Sequence, residues 1–396
     1  MKVVQINTFP YKSTGTIMMN IHKCLQKNDV ESYVAWGRGR KSENEYEIFM
    51  NDKIGVYWHG LYTRVTDKTG FASKRSTKRL LKKLDEIKPD IVHLHNIHGY
   101  YINIEMLFNY LKENKIKTVW TLHDCWAFTG HCAYFTCVNC NKWKDECHDC
   151  PQLNTYPISY NDNSKWNYDK KKDLFTGLNL TIVTPSQWLA ELVKSSFLND
   201  YDVEVINNGI DTEIFKPRKS DFRKKYGLED KKIILGVASE WTERKGLKDF
   251  IELSKLIDKD EIIVLVGLND KQIKNLPNNI IGIKRTENAI QLAEIYTAAD
   301  VYFSPSIEET FGMTILESIA CGTKSIVYKG TAMEELVNED NGFCIDIGDL
   351  NFVSKTIKEV KKIKEDGRIN DSKILSKIMA TKYFELYKTK YNEENV

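Results

Sequence analysis

Residues 300–322 read Asp300-Val-Tyr-Phe-Ser-Pro305, Ser306-Ile-Glu308, Glu309-Thr-Phe-Gly-Met-Thr-Ile-Leu-Glu317 and Ser318-Ile-Ala-Cys-Gly322. The pattern is a short apolar strand, a loop that turns at Phe311-Gly312, and the start of an apolar helix. A helix start aims free backbone N–H groups and a positive dipole end at whatever binds there, so it is an anion site. Carboxylates repel phosphate, yet Glu309 and Glu317 bracket this turn. A ligand with phosphate in its middle and hydroxyls at both ends reconciles the two. Glu317 falls roughly 7 Å along the helix from the turn at 1.5 Å per residue, about the reach from a diphosphate to a ribose. The bland alternative is an exposed loop acid followed by an ordinary amphipathic helix.

The rest of the chain sets bounds. Its 396 residues suggest two domains, each able to bury its own core. A net charge of +2 implies no general polyanion partner, and nucleic acid is not expected. No run approaches about 18 consecutive apolar residues, so no membrane span is expected. The start, Met1-Lys-Val-Val-Gln-Ile, reads as a buried strand, and the expected location is cytoplasmic. Six of the nine cysteines fall between 125 and 150, unlike a dispersed secreted framework.

Short β-rich runs alternate with helical patterns. Strands are expected at 3–6, 32–35, 91–94, 118–122, 181–184 and 203–206, then at 233–237, 262–266, 280–283, 301–304 and 324–328. Helices are expected at 18–26, 78–87 and 105–112, then at 221–226, 247–256, 289–298 and 314–320, with a last one at 373–390. Such alternation predicts an α/β protein with two doubly wound parallel sheets, whose ligands meet the carboxyl ends of the strands. Asn, Gly and Pro gather at 207–217, which places the boundary there. The expected domains are 1–211, with a Cys-rich insertion at about 125–157, and 212–372, with 373–396 returning to the first.

Several pieces stand in an order that resembles the retaining GT-B glycosyltransferases of family 4. They are Val205-Ile-Asn-Asn-Gly-Ile-Asp-Thr-Glu-Ile-Phe-Lys-Pro217, Arg244-Lys-Gly246, Tyr296-Thr-Ala-Ala-Asp300, Pro305-Ser306, the Glu309 and Glu317 pair, and Ala320-Cys-Gly-Thr323. The first half resembles a bacterial polysaccharide-synthesis subgroup, through His93-Leu-His-Asn-Ile-His-Gly-Tyr-Tyr101 and Trp120-Thr-Leu-His-Asp-Cys-Trp-Ala-Phe-Thr-Gly-His-Cys132. The resemblance implies two Rossmann-like domains facing a cleft. It also implies transfer of a sugar from a UDP- or GDP-sugar to a hydroxyl of a glycan or lipid-linked glycan, with no cofactor needed for the chemistry.

The resemblance also assigns roles. Lys245, with Arg244, neutralises the departing diphosphate, which is transition-state electrostatics. Glu309 faces the donor sugar, Thr310, Phe311 and Gly312 offer backbone groups to the donor, and Glu317 holds the ribose. Arg285 stands in the base-binding loop. His123 touches the donor sugar, with Asp124 beside it. Gly15, in Tyr11-Lys-Ser-Thr-Gly-Thr16, is the one glycine kept from a loop that approaches phosphate and acceptor. One departure is clear: the family's usual second cation, an Arg six residues before Lys245, is Ser239 here. That departure favours the alternative, a non-catalytic sugar- or nucleotide-binding scaffold on the same fold. A two-carboxylate glycosidase is the competing chemistry.

His93 and His95, at period two, share a strand face, and with His98 they form a dense cluster that suits packing, acceptor lining or a metal pair. Cys137-x2-Cys140 and Cys147-x2-Cys150 are paired knuckles that suggest structural zinc. Symmetry of the knuckles favours Cys137, whereas the subgroup resemblance points to Cys132 with Cys140, Cys147 and Cys150. Free buried thiols are the other reading. The helix at 78–87 sets Lys74, Arg75, Lys78, Arg79, Lys82 and Lys83 opposite Leu80, Leu81, Leu84 and Ile87. This is a solvated face or a peripheral contact with the inner face of the plasma membrane.

Overall fold

The computed structural model describes residues 1–42, 44–50, 52–360, 363 and 375–393. Its contacts divide the chain into two units, one of Met1–Gly209 with Ser376–Val396 and one of Ile210–Leu375.

The first unit runs β1 (Lys2–Asn7), α1 (Lys12–Lys27), β2 (Glu31–Trp36), β3 (Glu47–Phe49), α2 (Lys53–Thr66), α3 (Lys74–Ile87), β4 (Ile91–Leu94), α4 (Ile104–Glu113), β5 (Lys117–Thr121), α5 (Ser164–Phe175), β6 (Leu180–Thr184), α6 (Gln187–Lys194) and β7 (Asp202–Val205). All seven strands are parallel, in the order β3-β2-β1-β4-β5-β6-β7. Helices cover both faces of such a sheet. Every residue of β4 and β6 is therefore buried, the polar ones, His93, Thr181 and Thr184, included. Trp120 of β5 packs edge-on against Phe175 of α5 and tilts against Phe108 of α4.

The second unit runs α7 (Phe222–Tyr226), β8 (Lys232–Val237), α8 (Leu247–Leu253), β9 (Glu261–Val266), α9 (Asp270–Lys274), β10 (Ile280–Ile283), α10 (Ala289–Ala298), β11 (Val301–Ser304), α11 (Met313–Ala320), β12 (Lys324–Tyr328), β13 (Gly342–Ile345) and α12 (Leu350–Glu359). Its parallel sheet has the order β10-β9-β8-β11-β12-β13. The Asp300 carboxylate fastens this sheet, accepting from the Ile233 backbone N–H and pairing with Arg223. The chain closes with α13 (Ser376–Asn392), which packs on α1 of the first unit with Tyr383 and Tyr387 fully buried.

Two Rossmann-like, doubly wound domains are thus present. In each sheet the winding reverses once, between β1 and β4 and between β8 and β11, and ligands meet such sheets at the carboxyl ends beside that reversal. Several expectations need correction. Strands β3 and β13 and helices α2, α5, α6, α9 and α12 lie outside the elements expected from the sequence. The helix expected at 18–26 begins at Lys12, and the one expected to reach 256 ends at Leu253. β3 and β13 are short, half-buried strands in positions with one sheet neighbour, so they lack the unbroken apolar run of a central strand. Residues 373, 374 and 394–396 of the expected C-terminal segment lie outside the described residues.

Candidate active site

In the second unit the winding reversal gathers the charged residues. Strand β8 ends at Val237 and leads through a 3₁₀ turn, Glu243–Lys245, to Gly246 at φ +71°. A Cβ on Gly246 would stand 2.5 Å from the Pro305 carbonyl oxygen, so only glycine lets this turn lie against the loop that leaves β11. The Ile307 N–H donates to the Arg244 carbonyl at 3.1 Å. This interlock brings Lys245 Nζ into hydrogen-bond contact with Glu309 Oε1. Arg244 Nη1 lies 3.6 Å from the same oxygen and donates to the Glu308 carbonyl.

Burial by itself would raise the Glu309 pKa. The Lys245 and Arg244 charges, with hydrogen bonds from Lys245 and Ser306, outweigh it and hold the carboxyl below its ordinary value. Gly312, at φ +104°, caps α11, whose first turn starts three residues beyond Thr310. Glu317 sits deeper along α11 and accepts from the Tyr296 hydroxyl at 3.0 Å. Burial pushes its pKa up to about 7 although that hydrogen bond pulls it down. One carboxylate is therefore charged and paired, while the other is poised near neutrality.

In the first unit the corresponding cluster is built of histidines around one carboxylate. His95, His98, His123 and Asp124 line one cleft at the carboxyl ends of β4 and β5. His123 Nε2 is 3.1 Å from His95 Nδ1, and the two rings stack with centroids 5.4 Å apart. Desolvation drives the His123 pKa down to about 4, against a raising influence from Asp124, so the ring is neutral at pH 7. Asp124 takes a hydrogen bond from His98 Nε2 at 3.0 Å and one from the Trp126 N–H at 3.0 Å. Its burial opposes ionisation, but the charge and hydrogen bond of His98 prevail and its pKa is lowered.

Beneath them, His93 bridges Thr121 at 2.8 Å and the Tyr387 hydroxyl of α13. His93 is thus held by hydrogen bonds beneath the cleft, whereas His95 lines it. Gly15, in the first turn of α1 after β1, is buried, and a Cβ there would meet the Phe9 carbonyl oxygen at 2.6 Å. Gly15 and His123 therefore follow β1 and β5, on either side of β4.

Comparison with known proteins bears on this arrangement. The family described as "Glycosyltransferase Family 4" matches residues 14–214, and that described as "Glycosyl transferases group 1" matches 218–372. The chain belongs to glycosyltransferase family 4. This glycosyltransferase is 25% identical over 307 residues to a putative colanic acid biosynthesis glycosyl transferase, WcaC, of Escherichia coli, covering 75% of this chain and 69% of that protein. It is 31% identical over 163 residues to the processive diacylglycerol alpha-glucosyltransferase of Acholeplasma laidlawii, covering 38% and 48%. Its fold is similar to sucrose-phosphate synthase of Thermosynechococcus elongatus, with a TM-score of 0.72 at 12% identity over 98% of each chain. It is also similar to Anabaena Alr3699/HepE in complex with UDP-glucose, with a TM-score of 0.67 at 15% identity over 98% of this chain and all of that one. The GT-B fold class expected from the sequence is the one these neighbours share.

Other expected residues stand apart from the charged cluster. Arg285 is exposed beyond β10, at the far edge of the sheet from β11, and neighbouring Lys284 pairs with Asp270. Ser239 is exposed in the loop after β8, and Arg244 is the second cation that reaches Glu309. Three participants escaped sequence reasoning. Ser306 and Tyr296 lay inside motifs but without an assigned role, whereas Tyr156, whose hydroxyl is 3.0 Å from His98 Nδ1, is 58 residues away in sequence and gave no signal.

None of the nine cysteines of this glycosyltransferase, all among the described residues, is in a disulfide. Cys132, Cys140, Cys147 and Cys150 line one small cavity with His131 and Trp143, while Cys137 is exposed. Cys132 donates its S–H to Cys150, which lowers the Cys150 pKa to about 7, and the Gly130 N–H donates to Cys147 at 3.2 Å. Among the described residues, no three His, Cys, Asp or Glu side chains are posed to hold a metal ion. The four thiols share that cavity.

Proposed function

We propose that this family 4 enzyme transfers a sugar, with retention, from a UDP- or GDP-sugar to a hydroxyl of a growing bacterial polysaccharide. The observation that carries the reading is the cluster of Lys245, Arg244 and Glu309 at the reversal between β8 and β11, in front of α11. Lys245, Arg244 and the N-terminus of α11 supply positive charge where the diphosphate departs. Glu309, kept ionised by those cations, accepts donor-sugar hydroxyls and stabilises positive charge at the anomeric carbon. Glu317 accepts the ribose hydroxyls in its ionised form. Backbone groups of Thr310, Phe311 and Gly312 hold the donor, and Arg285 lies in the loop assigned to the base.

In the first unit, neutral His123 exchanges hydrogen bonds with sugar hydroxyls, Asp124 is held by His98, and Gly15 admits close approach of the β1–α1 turn. The bond from C1 to the diphosphate oxygen breaks. The acceptor oxygen bonds C1 from the same face, and its proton passes to the departing phosphate oxygen. The cations make a divalent metal unnecessary for this step. Support for a polysaccharide acceptor comes from the colanic acid relative, and for a lipid-linked one from the diacylglycerol glucosyltransferase. No helix among the described residues is long and apolar enough to cross a membrane. The proposed location is cytoplasmic, with peripheral contact at the inner face of the plasma membrane.

We further propose that Cys132, Cys140, Cys147 and Cys150 hold a structural zinc ion, on the strength of their shared cavity. Metal analysis of the purified protein should find about one zinc per chain; none at all would remove this assignment.

The test of the transfer reading is a nucleotide-sugar panel, scored by release of the nucleoside diphosphate in the presence of a chelator. One donor should be turned over, and Glu309→Ala should abolish release at an unchanged melting temperature. Failure of every donor, with sugar or nucleotide binding retained, would establish the scaffold reading instead. Activity that a chelator removes and magnesium alone restores would overturn the metal-free step.

A further inference from the structure

Helix α2 is built inside out. Its buried residues are polar: His59 and Thr63 are fully enclosed. Its large apolar residues face outward: Ile54 is 74% exposed, Tyr57 71%, Trp58 60%, Val65 51%, Leu61 40% and Tyr62 37%. Their spacing, 54, 57, 58, 61, 62 and 65, is one continuous helical stripe, the pattern that ordinarily faces a core.

The helix is locked in this rotation. His59 bonds the Ser73 hydroxyl at 2.8 Å through Nδ1 and takes the Gly70 N–H at 3.0 Å through Nε2. Asp52 caps the first turn by accepting from the Gly55 N–H. At the other end Asp67 is buried, pairs with buried His131 and accepts from the Asn163 N–H. Rotating the stripe inward would break these bonds and bury unpaired polar groups. The patch continues onto the loop before α5, where exposed Tyr160 donates its N–H to the Arg64 carbonyl at 2.8 Å.

Charge identifies the occupant. Residues 52–87, from the α2 cap to the end of α3, hold nine Lys and Arg and four acids, Asp52, Asp67, Asp85 and Glu86, the last paired with Lys83. That segment is therefore +5 in a chain whose total is +2. Lys53 and Arg64 lie on α2 itself. The exposed cations of α3 belong to the same body, because Ser73 precedes α3 and Arg79 donates to the Met50 carbonyl ahead of α2.

We propose that α2 docks this enzyme on a lipid bilayer with anionic headgroups. The Tyr and Trp rings and the aliphatic side chains would enter the boundary between headgroups and acyl chains, and the cations would engage the lipid charges. A second copy is disfavoured by the same charge, since a two-fold contact through α2 sets two net-positive segments against each other.

The docking face adjoins the first unit's cleft. The buried side of α2 packs His59 on Tyr100, Tyr100 packs on Tyr156, and Tyr156 bonds His98. A lipid-linked acceptor held at the bilayer would thus meet the His98–Asp124 pair two aromatic rings away. This last step rests on the transfer reading above; the docking does not.

The experiment is co-sedimentation of the full chain with phosphatidylcholine vesicles, with and without about 30 mol % phosphatidylglycerol. The protein should sediment with the anionic vesicles and be released by high salt. The double variant Trp58→Ser/Tyr62→Ser should partition about tenfold less. Its melting temperature and nucleotide-sugar hydrolysis should match the parent, because both side chains are exposed and away from the proposed machinery. Equal partitioning of variant and parent, or no partitioning of the parent, overturns the proposal. So does a dimer seen by light scattering that the double variant dissolves while neither protein binds vesicles. Loss of hydrolysis in every form with docking intact would count against the transfer reading alone.

Discussion

The two sheets of this glycosyltransferase share one winding and gather different side chains at the carboxyl ends of their strands. Beyond β8 and β11 stand two cations and a carboxylate in direct ion-pair contact, ahead of a helix N-terminus. Beyond β4 and β5 stands a histidine cluster in which His123 is neutral at pH 7 and Asp124 is already held by His98. In the proposed reading, the first of these meets a charged group and the second meets hydroxyls. A diphosphate calls for fixed charge, and sugar hydroxyls call for neutral donors and acceptors in fixed orientation.

The sharpest way to break this contrast is a pair of alanine variants. Lys245→Ala should lower turnover about 10²–10³-fold, as loss of a transition-state charge partner does. It should also erase the rise in melting temperature that a nucleoside diphosphate produces. His123→Ala should cost about 10²-fold or less, and leave that nucleoside diphosphate shift intact. If His123→Ala erased the shift, or Lys245→Ala preserved it, the division between a charged and a neutral region would fail.

A smaller effect concerns pH, and it runs in opposite directions in the two units. Glu317 has a folded pKa raised to about 7, so its contribution to stability is present below the unfolded carboxyl value near 4.5 and is lost as pH rises through about 7. Glu317→Gln should flatten that loss and weaken donor binding above pH 7. His123 has a folded pKa lowered to about 4 from 6.5, so the unfolded chain binds more protons between those values. Its contribution is complete above about 6.5 and fades as pH falls toward 4. Unfolding followed from pH 4 to 9 for the parent and Glu317→Gln separates the two; an unchanged upper limb in the variant would remove Glu317 as its cause.

The smallest expected change is Tyr387→Phe, which leaves the fully buried His93 Nδ1 without its hydroxyl partner. The cost should be about 1–2 kcal/mol in unfolding free energy, with donor binding unchanged. A neutral result would mean that α13 steadies the histidine cluster by packing alone.

Much of the fold was legible because parallel strands buried on both faces are rich in apolar and β-branched residues. Partners close in sequence are the most legible. Glu309, Phe311, Gly312 and Glu317 belong to one turn and one helix, so a rise per residue sufficed to relate them. The helix α2 was missed because its exposed stripe, Tyr57-Trp58 and Leu61-Tyr62 among Gly55 and Gly60, has the composition of a buried segment. The pairing of His98 with Asp124 and Tyr156, and of His93 with Tyr387, joins residues far apart in the chain, and no local pattern announces such contacts. Knuckle symmetry and the family resemblance left Cys137 and Cys132 as rivals, which differ in the fold because only Cys132 lines the cavity with the other three thiols.

The sequence by itself therefore determined the winding of both sheets and the family to which the chain belongs, since hydrophobic period and short-range motif order are properties of the unfolded string. Tertiary structure alone decided which charges meet, which histidines stay neutral and which face of α2 is left to solvent. Those outcomes depend on burial and on distances across the fold: the Lys245–Glu309 pair spans 64 residues and the His93–Tyr387 pair spans 294, and desolvation acts only once the chain has closed around them.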